Sequence, residues 1–268
     1  MTDRLTRENI LKYMKRGEFF ALDVLGEVTS TNALAKEAAK NGAGQFSVVA
    51  ADSQSGGRGR LGRSFFSPPD TGLYLSVVLR PDESVNPTLI TSGAAVLMSE
   101  AIEEAFGVFS EIKWVNDLYL SGKKICGILT EASFSGKENP DFIVLGAGVN
   151  VFPPDGGFPE SIDGTAGSLL RDYIPDARCR LAAAFLDRLF EKRDAVFCGE
   201  HMEEYRRRCR ITGNTVDIIS QNAVYPAEIV SINDDCSLTV NTGNGDLQKI
   251  FSGEVSIRKK TVEKSDTL

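Results

Sequence analysis

Histidine is nearly missing from this chain. The single example, His201, stands in the charged stretch GEHMEEYRRRCR, so Ser-His-Asp triads and metal sites built from clustered histidines are all but excluded. Its charged, helix-forming neighbours read it as a surface-helix residue. Cysteine is scarce and unpatterned: Cys126, Cys179, Cys198, Cys209 and Cys236 are odd in number and never spaced as CxxC, which indicates neither a disulfide framework nor a zinc site. No apolar run reaches the about 18 residues of a membrane-spanning helix, and the start, MTDRLTRENILKYMKRGEFF, is too charged to hold a secretory signal. A cytoplasmic location with no membrane partner follows by default. Positive charge is not in excess either; a formal net charge of −7 argues against generalised nucleic-acid affinity.

What is present is a soluble-type composition, 42% hydrophobic over 268 residues, enough for one substantial domain plus a small one. Thr29, Ser30 or Thr31 can cap an Ala-rich helix over about 32 to 41 that Gly42 or Gly44 ends. The β-branched run FSVVAAD (46–52) and GLYLSVVLR (72–80) read as strands separated by a long Gly-, Ser- and Pro-rich loop. Asn86-Pro87 opens a long helix whose apolar face continues to Gly107. EIKWVNDLYLSGKKICGILTEASF then reads as strand, turn at Ser121-Gly122, and strand, and DFIVLGAGVNV (141–151) as a further buried strand. Helical periodicity resumes over about 178 to 197, with a shorter helix through Arg208. From Thr212 the texture changes to four or five short β runs divided by Gly, Asn and Asp turns, the pattern of a small SH3-like barrel. The expected class is α/β or, as the segregated barrel favours, α+β: a mixed β-sheet domain packed with helices over 1–210, the barrel over 211–260, and a polar tail over 261–268.

Three constellations can carry chemistry. The first is GRGRLGR at 57 to 63. Its literal GxGxxG is not a dinucleotide fingerprint, because Ser64-Phe65-Phe66-Ser67-Pro68-Pro69 cannot open the required helix, and no Lys-Ser/Thr closes a phosphate loop. Arginines interleaved with glycines can instead wrap a polyphosphate as a mobile cationic lid; a solubilising loop or an RNA-binding Arg/Gly segment stays open. The basic cluster from Arg206 to Arg210 follows acidic residues and reads as a solvated helix face. The second constellation is Lys113-Trp114-Val115-Asn116-Asp117 with Lys124 beyond the turn. On a strand, Lys113, Val115 and Asp117 share one face, Trp114 and Asn116 the other, which fits a nucleobase platform or a core tryptophan beside a turn. The third, Gly146-Ala147-Gly148-Val149-Asn150, ends a strand with small residues that let a ligand, or a bulge, come close to the backbone.

In order, Ser30-Thr31-Asn32, Gln54, GRGRLGR, SPPDTGLYLS (67–76), KWVNDLYLSGKKICGILTE (113–131), GAGVN (146–150) and SGEVSIR (252–258) closely resemble the biotin–protein ligase family, over roughly 25 to 258. The resemblance implies a class II synthetase-like, biotin–lipoate ligase-like catalytic domain. It also implies a two-step reaction: biotin and ATP give biotinyl-AMP and pyrophosphate, with Mg²⁺ on the phosphates, and the acyl group then passes to a lysine of a biotin carboxyl carrier domain, such as that of acetyl-CoA carboxylase. By the same resemblance, biotin would be met by Ser30, Thr31, Asn32, Gln54, Gly57, Arg58, Gly59, Arg60, Tyr74, Lys124, Gly127, Gly146 and Gly148. ATP would be met by Arg60, Arg63, Lys113, Trp114, Asn116, Asp117 and Asn150, with Asp117 near the phosphates or metal. Arg60 and Lys124 would be the catalytic pair. Positive charge from Arg58, Arg60, Arg63, Lys113 and Lys124 would offset the repulsion of a carboxylate approaching a polyanion.

Val115 stands where the family often has proline, and Leu61 where it often has a further arginine. Only about 25 residues precede the first motif, too few for the winged helix-turn-helix that some members use to bind DNA, so a monofunctional ligase with no DNA partner is expected, as monomer or homodimer. Competing readings are a lipoate or octanoate–protein ligase and a non-catalytic nucleotide- or RNA-binding module.

Overall fold

The computed structural model describes all residues except 1–3, 82–84, 137–138, 220–223, 244, 252–255 and 260–268. The chain divides into two compact units, Met1–Cys209 and Arg210–Leu268.

The larger unit begins with helix α1 (Arg7–Tyr13), capped by Thr6, whose hydroxyl accepts the Asn9 N–H at 3.1 Å. Strand β1 (Ala21–Val28), helix α2 (Thr31–Lys40) and strands β2 (Ser47–Gln54) and β3 (Gly72–Leu79) follow. Helix α3 (Pro87–Phe106) starts where Asn86-Pro87 predicts: the Asn86 side chain accepts the Thr88 N–H at 2.9 Å, and proline at the first position loses no hydrogen bond. Strands β4 (Glu111–Lys113), β5 (Asp117–Leu120), β6 (Lys123–Ser133) and β7 (Phe142–Asn150) come next, then helices α4 (Glu160–Asp163), α5 (Ala177–Cys198) and α6 (Met202–Arg208).

The seven strands form one mixed sheet in the order β1-β2-β3-β7-β6-β5-β4, in which β1 and β2 run parallel and every other pair antiparallel. Because side chains alternate along a strand, the two faces are covered differently. Val49, Val78 and Val144 face α2 and close on Ala35, Ala39 and Phe142, each fully buried Val or Phe contributing roughly 1.5–3 kcal/mol. The opposite face carries Leu73, Leu75, Val77, Ile143, Leu145 and Val149, all essentially inaccessible to solvent, and against this side pack α3 and α5. Toward the end of the sheet where α2 begins, the first face loses its apolar side chains to glycines, and there the site lies.

The second unit is a five-stranded antiparallel sheet of SH3-like kind, β8 (Thr215–Ile219), β9 (Val224–Ile232), β10 (Leu238–Asn241), β11 (Leu247–Ile250) and β12 (Ser256–Lys259), in the order β11-β10-β9-β8-β12. Val216, Ile218, Ile229, Leu238 and Val240 are its buried core.

Three local expectations need correction. Trp114-Val115-Asn116 is a turn rather than strand, joining β4 to β5 so that Lys113 pairs with Asp117; the alternation of faces expected across 113–117 therefore fails, and the Trp114–Val115 peptide is cis. Arg208 is not on a solvated face: it is 2% exposed and donates to Glu204, Glu103 and the Ser99 hydroxyl at 2.5–2.6 Å. His201 is likewise buried, its Nε2 2.8 Å from Ser92 Oγ on α3, because α6 packs on α3. The five cysteines are all free, and among the described residues no helix is long and apolar enough to cross a membrane.

Burial lowers the His201 pKa from 6.5 to about 4. The fold therefore favours the neutral ring: the contribution is complete above the unfolded value and is lost as pH falls from 6.5 toward 4. Wild type is expected to lose about 2 kcal/mol through this group between pH 7.5 and 5. Urea unfolding of wild type and His201→Gln at both pH values checks it; an equal pH effect in the two proteins would contradict the assignment.

Candidate active site

The site is a strip of sheet on which three glycines interrupt the side chains. Tyr74 of β3, Gly148 of β7, Gly127 of β6 and Asp117 of β5 lie side by side in register across four strands. Two residues further along, on the same face, Ser76, Gly146 and Leu129 form the next row. A Cβ at Gly146 would stand 2.0 Å from Asn32 Oδ1, and one at Gly148 only 2.7 Å from the Phe65 ring. Gly127 faces Lys124 Nζ and the same phenyl ring, 3.3 and 3.5 Å from its Cβ position. These glycines make room for this chain's own site residues against the sheet. Gly146→Ala is accordingly expected to cost about 1–3 kcal/mol and to expel the Asn32 amide; equal stability by urea unfolding and equal ligand affinity by calorimetry would show that Asn32 is not held there.

At one end of the strip the groups are polar and nearly all neutral. Ser30 and Thr31 begin α2, so their backbone N–H groups and that of Asn32 lack helical partners. Gln54, ending β2, supplies one: its Oε1 accepts the Thr31 N–H at 2.9 Å and lies 3.2 Å from the Thr31 hydroxyl. Ser76 donates to Asn32 Oδ1 at 2.6 Å and lies 2.8 Å from Thr31 Oγ1. The Asn32 amide donates to Glu131 at 2.9 Å, and Lys36 stands 3.6 Å from the same carboxylate. Gln54 in turn donates to Ser67 at 2.9 Å on the returning limb of the 55–71 loop. Ser30, Thr31, Asn32 and Ser76 are buried, and Ser76 fixes the Thr31 hydroxyl and the Asn32 carbonyl oxygen.

Across the glycine strip, on β5 and β6, the groups are charged. Lys124 Nζ is 2.7 Å from Asp117 Oδ1. The backbone of Lys124 is clasped on both sides, its N–H donating to Thr165 O and its carbonyl accepting the Gly167 N–H, both at 2.8 Å. Arg60 reaches from the loop to Asn116 Oδ1 at 3.1 Å. Asn116 is itself locked to β6, its amide donating to Ile128 O at 2.8 Å and its carbonyl accepting the Ile128 N–H at 2.9 Å. The loop contains a single 3-10 turn, Arg60–Gly62, closed by the Gly59 N–H to Arg63 O bond at 2.7 Å. Phe65 follows, its ring edge-on to Tyr74 at 6.4 Å. Asn150, ending β7, donates to Gly167 O at 3.0 Å, and its carbonyl accepts the Leu169 N–H at 2.8 Å. The 165–169 segment thus ties Asn150 to Lys124.

Of the residues singled out in the sequence, the structure brings together Thr31, Asn32, Gln54 and Gly146 at the neutral end and Arg60, Asn116, Asp117, Lys124 and Gly127 at the charged end. Trp114 is buried in the adjoining turn. Arg58 and Arg63 are exposed on the loop, and Lys113 lies over the Tyr119 ring, 5.3 Å from its centroid. The first four residues of SGEVSIR lie outside the described residues. Phe65, Ser67, Ser76 and Glu131 were missed as single polar or aromatic residues inside strands and loops, where no spacing marks them.

Residues 25–150 match the model of the biotin/lipoate A/B protein ligase family. Among characterised relatives, the bifunctional ligase/repressor BirA of Bacillus subtilis is 29% identical over 86% of this chain and 72% of its own length. The biotin–[acetyl-CoA-carboxylase] ligase of Mycobacterium tuberculosis is 36% identical over 63% of this chain; the chain spans 62% of that relative's length. Among solved structures, the biotin protein ligase from Aquifex aeolicus in complex with biotin and ATP superposes with a TM-score of 0.73 at 27% identity, covering 89% of this chain and 99% of the other. In sequence over residues 25–150 and in fold over nearly its whole length, the chain is similar to the biotin/lipoate A/B protein ligase family.

Proposed function

We propose that the chain activates biotin with ATP to biotinyl-5′-AMP and transfers the biotinyl group to a lysine of a biotin carboxyl carrier domain. The observation that carries this reading is the division of the glycine strip. A ureido group presents one acceptor and two donors without net charge, and Thr31, Asn32, Gln54 and Ser76 are hydrogen-bonding groups without charge. A dithiolane or a plain alkyl chain can exchange no hydrogen bonds with these groups, whereas a ureido group can, which favours biotin over lipoate or octanoate. The charged end then suits the acid and the nucleotide.

In the first step a carboxylate oxygen forms a bond to the α-phosphorus of ATP, and the α–β bridging oxygen leaves with pyrophosphate. The acid reacts as its anion, so no base is required; what the site must supply is positive charge. Lys124, moving from Asp117 to the reacting oxygens, and Arg60, closing with the loop, supply it. Asn150 and the 165–169 segment form the nucleotide side. In the second step the carrier lysine's neutral amine attacks the acyl carbon, the mixed anhydride breaks, AMP leaves, and the amine proton passes to solvent or the departing phosphate. A Mg²⁺ ion fits mainly as a partner of the phosphates. Among the described residues no group of three or more His, Cys, Asp or Glu side chains could hold one, and Asp117 is the carboxylate placed to add a protein oxygen; the ion would neutralise phosphate charge.

Intact-mass measurement of a carboxylase's biotin carrier domain after incubation with the chain, ATP and either biotin or lipoate tests the reading. Addition of one biotinyl group to the carrier lysine is expected. Addition of lipoyl alone, or no modification of any carrier, would overturn it.

A further inference from the structure

The 55–71 loop leaves the sheet after β2 and returns at β3, and both limbs of its neck are gripped from below by one side chain. Arg178, in the first turn of α5, is completely buried. Its guanidinium lies 2.5 Å from the Asp52 carboxylate on the outgoing limb, and 3.7 Å from the Asp70 carboxylate and 3.5 Å from the Gly72 carbonyl on the returning one. The Asp70 N–H closes the neck by pointing at both Asp52 oxygens, at 3.3 and 3.4 Å. Tyr74 adds a second tie, its hydroxyl donating to Pro68 O at 3.0 Å.

We propose that Arg178 is a positioning residue that fixes the neck of the arginine loop, so that only the tip between Gly57 and Phe65 is free to open and close over the glycine strip. Calling the loop a ligand lid rests on the function proposed above; the clamp itself does not. Taking a guanidinium wholly out of water is unfavourable unless it is paired and hydrogen-bonded, and here the partners are divided between two chain segments 18 residues apart. A planar fork can bridge them, where an ammonium would reach one at a time. Asp70 is itself 70% exposed, so packing of the core does not require it. Gln54 and Ser67, joined at 2.9 Å, are the next pair along the two limbs.

Limited trypsin digestion of the full chain tests this, because Arg58, Arg60 and Arg63 are cleavage sites within the loop. Asp70→Ala and Arg178→Lys are expected to raise cleavage at these arginines about tenfold, while Asp70→Glu stays near wild type. Leu189→Ala, a cavity in the buried face of α5, serves as the control that lowers the unfolding temperature without selective loop cleavage. In the same variants, bound biotinyl-AMP is expected to escape faster by a similar factor. Unchanged cleavage at the three arginines in folded Asp70→Ala would overturn the clamp, whatever becomes of Arg178→Lys. Should wild type form no biotinyl-AMP while loop cleavage still rises in the variants, the clamp stands and the ligase reading fails.

Discussion

Lys124→Ala is expected to reduce formation of biotinyl-AMP by at least about 10²–10³ in kcat, the scale for removing one preorganised charge from a phosphoryl-transfer site, with little change in folding. The lysine is partly exposed and, among the described residues, its ammonium pairs only with Asp117 at 2.7 Å, so the group its loss leaves unpaired is that carboxylate, itself partly exposed. Asp117 alone would then face the triphosphate as an uncompensated negative charge. The double variant Lys124→Ala/Asp117→Asn should therefore recover part of the loss. A single-turnover assay of pyrophosphate release, with circular dichroism as the folding control, measures both. Recovery would show that the two residues act as a unit, whereas wild-type rates in Lys124→Ala would remove the lysine from the chemistry.

Arg60→Gly is the second large effect, and its direction differs. The residue belongs to the loop tip and contacts the sheet through Asn116 at 3.1 Å, so the fold should persist and the adenylate should still form. What disappears is a charge-assisted contact holding the lid shut. Release of biotinyl-AMP is expected to accelerate about 10- to 100-fold, and the freed mixed anhydride would acylate lysines of bystander proteins that wild type leaves untouched. Dissociation followed by rapid dilution of the complex, together with streptavidin blotting of an added unrelated protein, reads both consequences. An unchanged release rate would mean that the lid is closed by the neck and backbone contacts rather than by this arginine.

Much of this arrangement was legible in the sequence because glycine, proline and the capping residues act locally. Asn86-Pro87 started α3 where expected, and the Gly-rich stretch after Asp52 is a loop because nothing in it sustains a strand. The motif positions Thr31, Asn32, Gln54, Asn116 and Lys124 do converge, since their strands and helix are specified by strong apolar patterns. The misses have physical causes of their own. Strand β1 sits at the sheet edge and is mostly exposed, with Leu22 its one buried residue, so its alternation carries little signal. His201 and Arg208 looked solvated because their sequence neighbours are charged, yet α3 offers Ser92 and Ser99 as buried partners 109 residues away. Arg178, Asp52 and Asp70 are likewise joined only by tertiary contact; no local pattern distinguishes a buried arginine from a surface one.

In the proposed reaction the neutral end of the strip selects biotin and the charged end adenylates it. Biotin-dependent exchange of labelled pyrophosphate into ATP, with lipoate and octanoate as parallel substrates, tests it most directly. Exchange is expected with biotin, and none above background with the other two acids. Exchange with lipoate or octanoate in place of biotin would contradict it.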